Sequence, residues 1–257
     1  MRQLGQFKYL ARDTATEIVA GWMQPSIRFS RAQCVDLPPT IYQTRHVELT
    51  IEQRVAYKSM VARLKMEFAG DQVRAVNEAV KRMKLVQIAC GVVYGADGAE
   101  IVLPTKPRIE AVHEVIEEAG GKAIVFVPFK AALRYVAEEL GKTHSVAIIS
   151  GDVTAAARAS IFHNFQKNHD PQVLVAQPAA MSHGLTLTAA NTIVWYAPVD
   201  SNETYLQANA RVTRPGQKLT QFIVHIEGTV VEQRIYERLK NKQKMQGILL
   251  ESIQEPV

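Results

Sequence analysis

Residues 207–217 read QANARVTRPGQ and place phosphate-binding chemistry at short spacing. Arg211 and Arg214 are three apart, and Gln207 stands four before Arg211. On a helix these three share one face. Ala208, Asn209 and Ala210 are small and make no obvious core stripe, and Pro215-Gly216 stops the helix. A guanidinium offers a planar fork of donors that stays charged, so the cluster suits a polyphosphate. The plainer alternative is a surface helix with two solvated arginines. An ATPase also needs a phosphate loop. Gly141-Lys142-Thr143 has its closing letters, but the glycine required five positions earlier is Val136, and a helical pattern precedes it. Gly141 reads instead as a left-handed cap, with Lys142 on the carbonyl end of that helix. The chain has no DExH-type acidic box for Mg²⁺, and no metal ligands are assigned.

Several elements position this cluster. KAIVFV (122–127), SVAIIS (145–150), VLVAQ (173–177), TIVWYA (192–197) and FIVHI (222–226) are short apolar runs, expected for strands covered on both faces. Helical patterns at 131–140, 154–166 and 204–212 alternate with them, and Thr154 is a plausible N-cap. A long amphipathic helix is expected over 228–253, braced by Ile235, Leu239 and Leu249 with Lys240, Lys242 and Lys244 on its wet side. Strands alternating with helices predict an α/β fold with a doubly wound parallel sheet, whose ligands bind at the carboxyl ends of the strands.

The amino-terminal part reads differently. Helices are expected over 12–22, 51–68 and 71–89, the second opened by a Thr50/Gln53 capping box. Residues 41–49 alternate like an edge strand, and Asp97-Gly98 suggests a hairpin over 92–102. A helix over 105–121 leads into the first buried strand. The expected partition is a mostly helical appendage, 1–104, and an α/β domain, 105–257. Lys81, Arg82 and Lys84 read as a solvated face.

The 257 residues are 47% hydrophobic, enough for a sizeable core. A formal charge of +5 permits a nucleic-acid partner without demanding one. Cys34 and Cys90 lack metal or disulfide spacing. No apolar run is long enough to span a bilayer, and the first residues carry no signal-peptide pattern. A soluble, cytoplasmic protein of a bacterial or phage-infected cell is expected.

Together these segments resemble a known family. Gln207, Ala208, Arg211, Arg214, Gly216 and Gln217 match helicase motif VI in the form used by the Swi/Snf group of superfamily-two ATPases. Residues 176–196 resemble motif V, 122–129 motif IV, and 149–165 the motif that follows it. Residues 27–57, with Arg28, Arg31 and Leu37-Pro38-Pro39, resemble the leader of that family's second motor domain. Coverage is about residues 20–250, and His183-Gly184-Leu185 is most like short phage versions. Met181-Ser182 replace the usual Gly-Gly pair, and Thr186 the usual Asn.

The resemblance implies a RecA-like domain, the C-terminal half of a motor that translocates on DNA. Arg211 and Arg214 would be arginine fingers, and Gln207, Gly184 and Leu185 nucleotide-binding residues. Phe129, Lys130, Gly151, Asp152, Arg158, Ala179 and Ser182 would grip DNA, duplex by family likeness, through its phosphates. ATP and Mg²⁺ would be held mainly by an N-terminal RecA-like domain in cis or in trans, so this chain alone is expected to be inactive. Strand separation and a non-catalytic, DNA-binding or regulatory half domain are the alternatives. Arg158 could equally pair with an acid, Phe129 suits packing better than base stacking, His183 could be packed or capping, and Arg28 and Arg31 could be solvated.

Overall fold

The computed structural model describes residues 2–5, 8–10, 13–22, 36–68, 75–94, 99–181 and 186–241. The chain divides into two compact units, Met1–Asp36 and Leu37–Val257. In the first, strands β1 (Arg2–Gly5) and β2 (Lys8–Leu10) pair antiparallel, and helix α1 (Ala15–Trp22) follows. The strand pair had no counterpart in the sequence reading.

The second unit is built on a six-stranded sheet. Its strands are β3 (Thr40–His46), β6 (Lys122–Phe126), β7 (Val146–Ile149), β8 (Val173–Ala176), β9 (Ala190–Trp195) and β10 (Gln221–Glu227). They run in the order β3-β10-β9-β6-β8-β7, every pairing parallel. The central strands bury both faces: Ile124, Val125, Phe126, Leu174, Val175, Ile193, Val194 and Trp195 are core residues. This is the doubly wound sheet that the apolar runs predicted.

β3 is an edge strand, as its alternation suggested, but it belongs to this sheet rather than to a separate appendage. It pairs with β10 in register from Thr40–Gln221 to His46–Glu227. Residues 37–104 share the second unit, which begins at Leu37. The expected division at 104/105 falls inside this unit.

Helices α2 (Ile51–Phe68) and α3 (Ala75–Ala89) come next. The capping box at the start of α2 is formed: Thr50 N donates to Gln53 Oε1 at 3.1 Å, and Gln53 N to Thr50 Oγ1 at 3.3 Å. The Gln53 amide also donates to the Ile88 and Ala89 carbonyls, closing the end of α3. Strands β4 (Val92–Tyr94) and β5 (Glu100–Val102) pair antiparallel. The Asp97-Gly98 turn expected between them lies outside the described residues.

The crossover helices are α4 (Lys106–Ala119), α5 (Lys130–Leu140), α6 (Ala155–Lys167), α7 (Asn202–Asn209) and α8 (Val230–Lys240). Thr154, Ser201 and Thr229 cap three of them, each accepting from the amide three residues on. Ile235 and Leu239 are buried on α8, while Lys242, Lys244 and Leu249 lie outside the described residues. Gly141 is a correction. It caps α5 in a right-handed conformation, φ −65°, because the chain continues through further turn bonds from Lys142, Thr143 and His144. The left-handed cap is Gly120, φ 58°. Among the described residues no helix is long and apolar enough to cross a membrane.

Candidate functional site

The arginine segment departs from the single helical face predicted for it. α7 ends at Asn209, and Arg211 and Arg214 occupy successive turns beyond it. The end of the segment has two local determinants. Pro215 disfavours helical geometry at Arg214, and Gly216 takes φ 98°, which only glycine adopts without strain. The helix also has the core stripe that its small residues concealed. Tyr205, Ala208 and Asn209 are buried, and Trp195 Nε1 donates to Asn209 Oδ1 at 2.9 Å.

Gln217 fastens the segment to the sheet. Its buried Nε2 donates to the carbonyls of Ala190 at 2.9 Å, Val212 at 3.3 Å and Thr188 at 3.4 Å. Its Oε1 accepts from Lys218 N at 3.0 Å and Leu219 N at 3.1 Å. A further backbone bond runs from Leu187 N to Arg211 O at 3.0 Å. The arginine turn is therefore stitched to the chain that enters β9.

Arg211 is 4% exposed, so it is not a solvated surface cation. Burial, and then the charge of Arg214, pull its pKa below the usual guanidinium range. Arg214 is half-buried, and its Nε donates to Ala210 O at 3.2 Å. Among the described residues this is its side chain's one hydrogen bond. The two Nη groups of the fork thus stay available to a ligand. Two mutually repelling guanidiniums, one with its fork available, favour an anion. Gln207 sits on α7, where its Nε2 donates to Glu203 Oε1 at 2.9 Å. Ser182, His183, Gly184 and Leu185 lie outside the described residues; Met181 before them and Leu187 after them are buried.

A second group gathers at the carboxyl ends of β6, β7 and β8. Phe129 is the N-cap residue of α5 and packs against the core. Lys130 Nζ and Asp152 Oδ1 form an ion pair at 2.8 Å, so two expected DNA contacts neutralise each other. Gly151 is exposed, and Ala179 is exposed on a 3-10 turn, Pro178–Met181. Among the described residues Arg158 pairs with no acid. Its Nη2 donates to Ser150 O at 3.1 Å and Val153 O at 3.2 Å, and its Nη1 reaches Ala180 O at 3.5 Å. It holds the loops after β7 and β8 together.

Gln177, which sequence reasoning passed over, does similar work. Its Oε1 accepts from Gly151 N at 3.3 Å, and its Nε2 reaches Pro128 O at 3.5 Å. The available signal was a glutamine, both donor and acceptor, at a strand's carboxyl end. Arg82 is a correction: it is 3% exposed and ion-paired with Asp200 and Glu78, not part of a solvated face. Buried Arg108 and Glu232 form another unanticipated ion pair at 2.9 Å. Among the described residues no group of three or more His, Cys, Asp or Glu is placed to hold a metal ion.

Comparison with known proteins bears on the fold. Residues 107–216 match the family described as helicase conserved C-terminal domain. That match assigns less than half of the chain, the segment that builds most of the parallel sheet, to a helicase C-terminal domain. SWI/SNF-related proteins are among the relatives and solved structures that the chain resembles. The SWI/SNF-related matrix-associated actin-dependent regulator of chromatin subfamily A-like protein 1 of Xenopus tropicalis is 34% identical over 110 residues, 42% of this chain and 12% of that protein. Protein p41 of Acyrthosiphon pisum secondary endosymbiont phage 1 is 26% identical over 236 residues, 89% of this chain and 49% of that one. The chain therefore spans half or less of these relatives. Among solved structures, the Sulfolobus solfataricus SWI2/SNF2 ATPase core in complex with dsDNA superposes with a TM-score of 0.64 at 23% identity, over 89% of this chain and 50% of that one. The C-terminal part of the Fun30 ATPase domain gives 0.62 at 15% identity, over 82% and 92%.

Proposed function

We propose that this chain is the moving half of a DNA-dependent ATPase, supplying Arg214 and Arg211 to ATP held by an N-terminal RecA-like domain in cis or in trans. The observation that carries the reading is the fork of Arg214, tethered at Nε to Ala210 O and open at both Nη groups. Charge develops on the γ-phosphoryl oxygens during transfer, and a guanidinium delivered across a cleft is worth roughly 10³–10⁵ in rate. Arg214 takes the γ-phosphate, and buried Arg211 raises the local positive potential behind it. Gln207, Gly184 and Leu185 complete the nucleotide side. Mg²⁺ would be held mainly by the first domain and would neutralise phosphate charge there. DNA lies along the carboxyl edge through its phosphates, near Phe129, Lys130, Gly151, Asp152, Arg158, Ala179 and Ser182. Contacts to phosphates ignore sequence, which suits translocation along a duplex.

The test is reconstitution. The chain is mixed with the N-terminal RecA-like half of a Swi/Snf relative, and DNA-stimulated ATP hydrolysis is measured. The chain alone is expected to hydrolyse none. Arg214→Ala should lower the assembly's rate at least a hundredfold, and a wild-type rate in that variant sinks the finger role. Triplex displacement without strand displacement would mark a translocase rather than a strand-separating helicase.

A further inference from the structure

We propose that helix α3 is a lever on the arginine turn, acting through Arg82 and Asp200. This rests on the arginine-finger reading. Arg82 lies in the middle of α3, outside the parallel sheet, and its guanidinium is buried. It grips Asp200 with two parallel bonds, Nε to Oδ1 at 3.2 Å and Nη2 to Oδ2 at 2.9 Å. Glu78, one turn earlier on α3, approaches Nη1 at 3.5 Å. Such a fork fixes orientation as well as distance.

Asp200 is well placed to transmit that orientation. It lies in the connection from β9 to α7, directly before Ser201, the residue that caps α7. α7 runs in turn into the arginine turn. Just past the end of α3 the same connection is held again: Tyr196 Oη donates to Cys90 O at 3.4 Å. The helix and the residue that follows it thus hold both ends of the 196–200 segment. A displacement of α3, by a ligand or by a partner domain, moves the start of α7 and with it the set of Arg211 and Arg214. Arg82 and Asp200 are positioning residues on this account, since neither touches nucleotide.

Hydrogen exchange of the full 257-residue chain, without nucleotide, tests the mechanical part. Arg82→Lys keeps charge but loses the fork, and Asp200→Asn keeps shape but loses charge. Each is expected to speed exchange of amides 202–212 about tenfold, with the double variant no faster than either single. Strands 122–126 and 173–176 should exchange as in the parent. Unchanged exchange at 202–212, or acceleration everywhere, overturns the lever. In the reconstituted assembly, Asp200→Asn should lower kcat about tenfold at unchanged KM for ATP; an unchanged kcat overturns the functional part. Failure of the finger reading is distinguishable, because it shows as hydrolysis surviving Arg214→Ala while the exchange result stands.

Discussion

Gln217→Ala isolates what the last residue of the arginine segment does. In the native chain its amide nitrogen has two hydrogens and three carbonyls within reach, so Ala190 O at 2.9 Å takes one and Val212 O and Thr188 O share the other. Its oxygen accepts two further backbone amides, from Lys218 and Leu219. Alanine loses all of these. Ala190 and Val212 are buried, so water cannot readily replace the bonds to their carbonyls; Lys218 and Leu219 are exposed, so their amides rehydrate. Two buried bonds at about 1 kcal/mol each, with a further fraction from the loosened turn, amount to a loss on the order of 2–3 kcal/mol. Urea unfolding should show this as a lower midpoint at unchanged slope. Gln217→Glu should cost more, because it turns a carboxylate on three carbonyl oxygens. A loss under about 0.5 kcal/mol for alanine, or a glutamate variant more stable than alanine, would refute the stitching role.

Other perturbations are as direct. Arg108→Met strands Glu232 in the core and should destabilise by about 3–5 kcal/mol, while Arg108→Met with Glu232→Leu should recover most of that; additive losses in denaturation would contradict it. His225 is buried and kept neutral: burial, then the charge of Lys240, depress its pKa to about 3. Between the unfolded value of about 6.5 and that depressed value, the unfolded chain binds a proton that the folded one refuses, so stability falls as pH drops, by about 1.4 kcal/mol per unit. His113, lowered by burial and then by His144, adds slope in the same direction. NMR should find the His225 ring unmoved from pH 8 to 5, and a midpoint near 6.5 would exclude the buried neutral state. Gly216→Ala forces a side chain onto φ 98° and should cost roughly 1 kcal/mol in thermal unfolding, with the space around it open. Arg158→Met should weaken DNA binding both by removing a phosphate contact and by loosening the loops after β7 and β8, so the salt dependence of binding should lose about one unit of slope.

The sheet was legible because its strands are covered on both faces, and five apolar runs between helical patterns admit few other folds. Two helix starts, after Thr50 and Thr154, were equally plain, since a capping hydroxyl and the amide three residues on are local partners. What escaped the sequence is non-local. β3 alternates like any edge strand, and only its pairing with β10, across about 180 residues of chain, assigns it to the main sheet. Arg82, Arg108 and Arg158 look alike as letters. Their partners Asp200, Glu232 and the Ser150 carbonyl are tertiary neighbours, so no periodicity separates a buried tie from a solvated cation. The break after Asn209 was half visible: Pro215-Gly216 announced an end to the helix, but not that the turn would begin before Arg211.

That earlier break bears on why the segment uses arginine. A long side chain at the end of a continuous helix would sample many rotamers, and fixing it at the moment of ligand contact costs up to about 2 kcal/mol of side-chain entropy. In the turn, Arg214 Nε is already committed to Ala210 O, four residues back. Lysine has no second nitrogen to spare, so one ammonium would have to choose between the carbonyl and the ligand. Arginine divides the tasks, with Nε anchoring the side chain and the planar Nη pair left, among the described residues, for a ligand. Arg214→Lys is therefore expected to fold as the parent does, and to lose nearly as much DNA-stimulated hydrolysis in the reconstituted assembly as Arg214→Ala. Substantial activity in the lysine variant would mean that charge alone suffices and that the Nε tether has no catalytic consequence.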